Sequence, residues 1–437
     1  MALLHKNNQT DQNKDIQTGH DAGHKIAYDS DVMDIMPCWL GYFTLVVVGV
    51  CIVLTRLFAF APAILCLPLC FLVFQHKLSV LRALKAQKIV VFIFSALIIL
   101  CALSSFWSVN GENSLEKTMK MLAVMIPSLF LFVMLGQYRI QILPRNPVAI
   151  LAFCVLISAV AVIEFAFDFP LYRLVRGLSV DETVHSIVWN SGLTAMWVLF
   201  FPLLMRAFSL LDAQHDQRVF YILLGILAAM SMYLLGVTAS QSAQLVCVVG
   251  LLTAVVFPYK YKWSWRILGF ALAAGMIGAP FIAIAVYGFI DDGFNFAEGS
   301  FLYKAAGVKR LEIWYFVAEK IMENPWYGFG VETTRSIVFD NPGRYWQSNT
   351  VLHPHNAALQ LWLEFGIVGI LFGTCVCLYI LKLISGIVQN RLSCMALGGY
   401  AAWFCVSMTS YGLWQGWFLG FSLLCCCFLI SRGKITV

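Results

Sequence analysis

Residues Leu352–Phe372 read LHPHNAALQLWLEFGIVGILF, and within this stretch a polar loop becomes a membrane helix. His353 and His355 flank Pro354, Asn356 follows, and the apolar run that begins there is interrupted only by Gln360, Glu364, Gly366 and Gly369. The pattern predicts His355 in the first turn of a helix. There the unpaired N–H groups and the positive end of the dipole disfavour an imidazolium and keep the ring neutral. A neutral imidazole accepts a proton near pH 7, as a general base must. The plainer reading is that proline is ordinary helix punctuation and the histidine an interfacial side chain with a wet tip.

The rest of the composition says what surrounds this stretch. Of 437 residues, 60% are hydrophobic, 14% aromatic and only 12% charged, with a mean hydropathy of +0.80. Soluble domains are about half apolar and about a quarter charged, so the chain reads as an integral membrane protein. Its net charge of +6 fits cationic cytoplasmic loops and calls for no nucleic-acid partner. The fourteen cysteines fall almost all in apolar runs and read as small hydrophobes, with no zinc-ligand spacing. No metal or cofactor is expected.

Runs long enough to cross about 30 Å of hydrocarbon are expected near 38–55, 57–75, 88–106, 119–137, 147–166, 191–210, 219–236, 242–258, 266–289, 356–381, 393–410 and 413–431. The expected fold is all-α, with about twelve transmembrane helices. Four regions follow: a polar cytoplasmic tail over 1–37 with no signal peptide, nine spans over 38–289, a long loop over 290–355, and three spans over 356–437. Lys77, Arg82, Lys85, Lys88, Arg139, Arg145, Arg218, Lys260, Lys262, Arg266, Lys382, Arg391, Arg432 and Lys434 fall on one side, which places both termini in the cytoplasm.

The long loop breaks the charge rule, because it lies on the other side and still carries Lys304, Lys309, Arg310, Lys320, Arg335 and Arg344. Loops of this length are usually functional. With Trp314, Tyr315, Trp326, Tyr327, Tyr345 and Trp346 it suits an anionic headgroup bearing sugars, cations meeting phosphate and rings stacking on sugar faces. Arg310, Trp314, Val317 and Ile321 recur at helical spacing, so KRLEIWYFVAEKIM is expected to form an amphipathic helix near the membrane interface. It ends before ENPWYGFG, where Pro325, Gly328 and Gly330 impose turns. A second loop, DFPLYRLVRGL, offers Arg173 and Arg176 as a further basic contact. Glu364 lies two and a half turns beyond His355 and is expected to bond to neighbouring helices.

Three stretches together carry a family resemblance. RLEIWYFVAEKIMENPWYGFGVET is similar to the R-x-x-x-W, N/H-P-x-x-G-x-G pattern of the O-antigen ligase and polymerase superfamily. HNAALQLWLEFGIVGIL resembles its H-[NSQ], nine residues, G-x-x-G signature through His355, Asn356, Gly366 and Gly369, and LSSFWSVN (Leu103–Asn110) resembles a short segment after the third span.

The resemblance implies an inverting, metal-independent membrane glycosyltransferase. It would move a glycan from an undecaprenyl diphosphate carrier to an acceptor sugar on the periplasmic face: lipid A-core for a ligase, another repeat for a polymerase. His355 would be the general base and Arg310 the diphosphate ligand. Arg335, Arg344, Arg176, Gln241, Trp314, Asn356 and His353 would complete the substrate contacts, membrane lipids being the other partners. Fixed guanidinium groups can neutralise a departing diphosphate, and the acceptor hydroxyl still needs a base.

The chain departs from the family at TASQSAQL (Thr238–Leu245), where many members read S-R-x-A and have a second arginine; here the position is Gln241 or Ala243. The rival classes are a transporter or lipid flippase, which needs ionisable or broken-helix sites near the bilayer midplane, and a structural scaffold, which leaves the basic aromatic loop unexplained.

Overall fold

The computed structural model describes residues 37–211, 217–291, 307–339 and 343–430. The expected tail over 1–37 lies outside them except for Pro37, as do Lys304, Arg432 and Lys434. Among the described residues every regular element is helical.

The helices are α1 (Cys38–Val53), α2 (Ala61–Gln75), α3 (Val80–Ala86), α4 (Lys88–Ser104), α5 (Gly111–Tyr138), α6 (Pro147–Ala166), α7 (Pro170–Arg176), α8 (Asn190–Leu210), α9 (Gln217–Val237), α10 (Gln241–Val256), α11 (Lys262–Ile277), α12 (Ala279–Asp291), α13 (Gly307–Glu323), α14 (Ala357–Ile387), α15 (Met395–Thr409) and α16 (Gly416–Ile430). Polar residues set several starts: the side chains of Asn110, Asn146, Ser240 and Asn356 accept from first-turn N–H groups of α5, α6, α10 and α14, as N-caps do.

Each of the twelve expected apolar runs is helical, but fewer qualify as spans. Among the described residues six helices are long and apolar enough to cross a membrane, or eight when each of two bent pairs counts as one. Helices α1, α4, α10 and α16 have 16, 17, 16 and 15 residues. At 1.5 Å per residue these fall short of about 30 Å of hydrocarbon. The run expected at 266–289 is two helices, α11 and α12, bent by 71°. Gly278 stands at the bend, where the Trp362 indole donates to the freed Ile277 carbonyl at 3.2 Å. Small residues let α10 and α15 close on each other: a Cβ on Gly398 would lie 2.6 Å from the Gly250 carbonyl, the kind of contact that binds helices where water supplies no driving force.

The feature that positions the site is a break in α14. Gly366 has φ 60° and ψ −148°, which interrupts the helical ladder. In a bilayer each unpaired backbone group costs several kcal/mol, and here the ENPWYGFG loop supplies the partners. Phe329 N–H donates to the Leu363 carbonyl, Gly330 N–H to that of Glu364, and Ile367 N–H to that of Pro325, each at 2.8 Å. The approach is too close for side chains: a Cβ on Gly366 would lie 2.4 Å from the Trp326 backbone, and one on Gly328 2.6 Å from that of Glu364.

The third stretch clamps the loop from the other side. Trp107 Nε1 donates to the Tyr327 carbonyl at 3.1 Å and Val109 N–H to that of Phe329 at 3.2 Å. Val331 N–H donates to Ser104 Oγ at 3.1 Å. The three stretches that carry the resemblance are thus stitched together mainly through their backbones.

Helix α13 forms where the spacing predicts it, but its apolar face does not lie open at an interface. Val317 and Ile321 are fully buried, and the helix packs on α12 and α14. Three buried carboxylates fasten the surroundings. Glu312 of α13 accepts from the backbone N–H groups of Arg344, Tyr345 and Trp346. Glu164 accepts from Leu171 and Tyr172 N–H at the start of α7 and from the Trp189 indole. Glu364 accepts from the Gln360 amide at 3.0 Å and from the Trp414 indole, so its role is in packing among helices.

Candidate active site

His355 stands before α14 and not in its first turn. Asn356 is the N-cap, its Oδ1 accepting from Ala358 and Leu359 N–H at 3.0 and 3.1 Å. His355 takes the left-handed conformation at φ 55°, which few residues other than glycine adopt. Its Nδ1 lies 2.6 Å from the Ser410 carbonyl. A carbonyl only accepts, so Nδ1 carries the proton and the neutral ring keeps its lone pair on Nε2. Burial lowers the His355 pKa below the usual 6.5, the Ser410 carbonyl partly offsets this, and the Arg310 charge lowers it further. The ring is neutral as expected, but through burial and a cation, with the helix dipole engaged by Asn356.

His353 packs against His355 with ring centroids 4.1 Å apart. It is 8% exposed, its Nε2 lies 3.1 Å from the Gln415 amide, and its Nδ1 accepts from His355 N–H at 3.3 Å. Burial first, then the charges of His355, Arg335, Arg310 and Lys117, push its pKa down to about 3. Two neutral imidazoles therefore stand side by side in the field of several cations.

Arg310 lies in the first turns of α13, four residues before Trp314, so both share one face. The Trp314 indole donates to the Pro354 carbonyl at 2.9 Å, which ties that face to the turn carrying the histidines. Burial lowers the Arg310 pKa and Tyr411 acts in the opposite direction; the guanidinium stays charged. Tyr411, between α15 and α16, bonds to Thr194, and burial raises its hydroxyl above the ordinary phenol range so that it remains a donor.

The other expected residues divide. Arg335 pairs with Glu332 at 3.2 Å, its side chain half exposed, and its charge reaches His353. Gln241 opens α10, which the Ser410 hydroxyl joins to the histidine turn by donating to Ser242 Oγ at 2.6 Å. Arg344 is exposed, lies over the Tyr345 ring at 5.4 Å, and has its backbone held on α13 by Glu312. Arg176 is exposed on α7 over Tyr172, and no described contact joins it to the histidines. Its neighbour Arg173 is buried and donates to the carbonyls of Asp168, Ser179 and Glu182 and to the Asp168 carboxylate, so it braces its own loop.

Ser410, Tyr411 and Gln415 were not among the expected site residues. The sequence signal for them is SYGLWQGW (Ser410–Trp417), a polar and aromatic interruption between two apolar runs. Among the described residues no three His, Cys, Asp or Glu side chains group as metal ligands do. Next to the histidine turn an apolar cavity of about 220 Å³ begins at Ala357, Leu413 and Trp414 and runs between the helices to Cys377 and Leu429.

The architecture defines a multi-pass helical membrane protein with a polar, cation-rich cluster at one end of the bundle. Residues 224–373, which hold Gln241, Arg310, Arg335, Arg344, His353 and His355, match the model of the O-antigen ligase family. A protein of Rickettsia conorii provisionally named a polysaccharide ligase is 26% identical over 58% of this chain and 56% of its own length. Proteins of the same name from Rickettsia felis and Rickettsia typhi are 26% and 28% identical over 58% and 44% of this chain. The chain spans about half the length of these relatives. Over residues 224–373 the chain is similar to the O-antigen ligase family, and the names of these relatives point the same way.

Proposed function

We propose that the protein is a polysaccharide ligase of the glycosyltransferase kind, moving a glycan from a prenyl diphosphate carrier, undecaprenyl diphosphate, to an acceptor sugar hydroxyl. The observation that carries the reading is the placing of His355: its Nδ1 lies within hydrogen-bond distance of the Ser410 carbonyl, which directs the lone pair to Nε2, and burial with the Arg310 charge lowers its pKa. Nε2 takes the proton of the acceptor hydroxyl, and the freed oxygen attacks the anomeric carbon. The bond from that carbon to the phosphate oxygen breaks, and the prenyl diphosphate departs with the electron pair. Attack opposite the leaving group inverts the anomeric centre.

Arg310 neutralises the charge that grows on the diphosphate, as a fixed cation in a dry site does well. Proton uptake by His355 is aided by the Ser410 carbonyl, which holds the imidazolium through Nδ1–H. The apolar cavity beside Ala357 supports a hydrocarbon-tailed donor. In this reading the segment 290–355 forms a periplasmic lid and both termini lie in the cytoplasm of an inner-membrane protein, as the distribution of Lys and Arg supports. Lipid A-core is the acceptor we favour over a growing repeat, because the matched relatives bear the name of ligases.

Deleting the gene tests the choice: lipid-linked long chains accumulate if a ligase is missing, single repeats if a polymerase is missing. His355→Ala, produced at normal level in the membrane, is expected to lose glycan transfer by at least about a hundredfold, read as surface glycan on gels. Transfer at the wild-type rate would remove the proposal.

A further inference from the structure

Lys117 belongs to none of the three stretches that carry the resemblance, yet its charge acts on His353. It stands in the second turn of α5, with Nζ 3.3 Å from Glu332 Oε2, while Arg335 Nε lies 3.2 Å from Glu332 Oε1. Lys117 and Glu332 are only 16% and 18% exposed, unlike an ordinary surface pair. One carboxylate between two cations leaves one positive charge over, and Arg310 adds another. All three cations act on the ring of His353, and Arg310 acts on that of His355 as well.

The placement of Lys117 is held independently of its ion pair. Ser114, one turn earlier on α5, donates to the Val331 carbonyl at 2.6 Å, and Val331 N–H donates to Ser104 Oγ. The residue before Glu332 is therefore fastened to the helix that carries Lys117. Glu332 itself has φ 60°, a conformation that persists in a non-glycine residue only where neighbours enforce it, and which gathers at ligand clamps.

An excess of cations beside a proton acceptor suits a ligand with two or more negative charges and several acceptor oxygens, which is the description of a diphosphate. We propose that Lys117 is a binding residue for the donor's diphosphate, acting with Arg310 and Arg335, and that Glu332 holds Lys117 and Arg335 in register while limiting how tightly the anion is kept. The inference rests on the prenyl diphosphate reading given above.

The test uses the full chain in lipid nanodiscs, with undecaprenyl diphosphate as probe, undecaprenyl monophosphate as control, and inorganic diphosphate to separate headgroup from tail. Lys117→Gln is expected to weaken diphosphate binding by about ten- to a hundredfold, the loss of one charge-assisted contact, and to erase the preference over monophosphate. Lys117→Arg should restore most of it. Glu332→Gln should tighten diphosphate binding, which a merely structural ion pair would not do. Undiminished binding by Lys117→Gln, or weakened binding by Glu332→Gln, overturns the assignment. If Lys117→Gln fails to fold, Lys117→Arg and Glu332→Gln decide it by the same signs. Loss of binding in Arg310→Gln alone discards Lys117 and keeps the transferase, whereas a wild-type protein indifferent to the diphosphate discards both.

Discussion

His355 is held at its backbone by His353, whose Nδ1 accepts its N–H, and at its ring by the Ser410 carbonyl, while its pH behaviour follows from burial and the Arg310 charge, which outweigh Ser410. Its pKa is lowered in the folded protein, so the base remains unprotonated at neutral pH. Transfer is expected to fall only as pH drops below the ordinary imidazole value of about 6.5. Arg310→Gln removes a charge that opposes protonation and should move the His355 titration to higher pH, read from the pH dependence of diethyl pyrocarbonate modification. For His353 the sign concerns stability. Its folded pKa of about 3 lies below the unfolded value, so the unfolded chain binds the extra proton between pH 6.5 and 3. Its contribution is complete above 6.5 and is lost as pH falls through that window. His353→Gln should flatten this acid loss, followed as the thermal midpoint in detergent. The residue types at the site were legible in the sequence because histidine beside proline at a helix start is local information. The cause of neutrality was not, since burial and the Arg310 charge come from elements far away in the chain.

Among the elements, the break in α14 is the most exposed to small changes. Gly366→Ala would force a side chain onto the Trp326 backbone and into a left-handed conformation. The conformation alone costs about 1–3 kcal/mol, and undocking would leave buried N–H and C=O groups unpaired as well. The expected outcome is a lower thermal midpoint together with protease cleavage near Trp326. Glu312→Gln keeps the shape but removes the charge that binds three N–H groups, each such bond being worth about 1.5–3 kcal/mol. Hydrogen exchange at Arg344, Tyr345 and Trp346 should speed up while α13 stays protected. The glycine spacing was visible in the sequence as turn punctuation, and α13 was visible in its 3.6-residue period. What Gly328 and Gly366 do for each other was hidden, because no period or propensity reports a contact between two loops distant in sequence. The same holds for Arg173, which reads as a free surface cation until the carbonyls around it are seen.

For the molecule as a whole, hydropathy located the apolar runs but counted as straight crossings the short helices α1, α4, α10 and α16, and it did not register the bend at Gly278. The orientation read from Lys and Arg can be checked by cysteine labelling in a background cleared of the exposed Cys38, Cys70 and Cys375. With the proposed topology, Ser348→Cys should react with an impermeant maleimide in intact spheroplasts and Lys260→Cys only after lysis. The knot at Gly366 also governs how such a protein can be recombined. Because residues 103–110, 325–331 and 363–367 complete one another's backbone pairing, a chimaera that imports a relative's outer segment alone would splice a foreign plug into a native socket. Exchanges that carry all three pieces together are the ones expected to yield an intact membrane protein, and the acceptor preference of a relative should travel only with that trio.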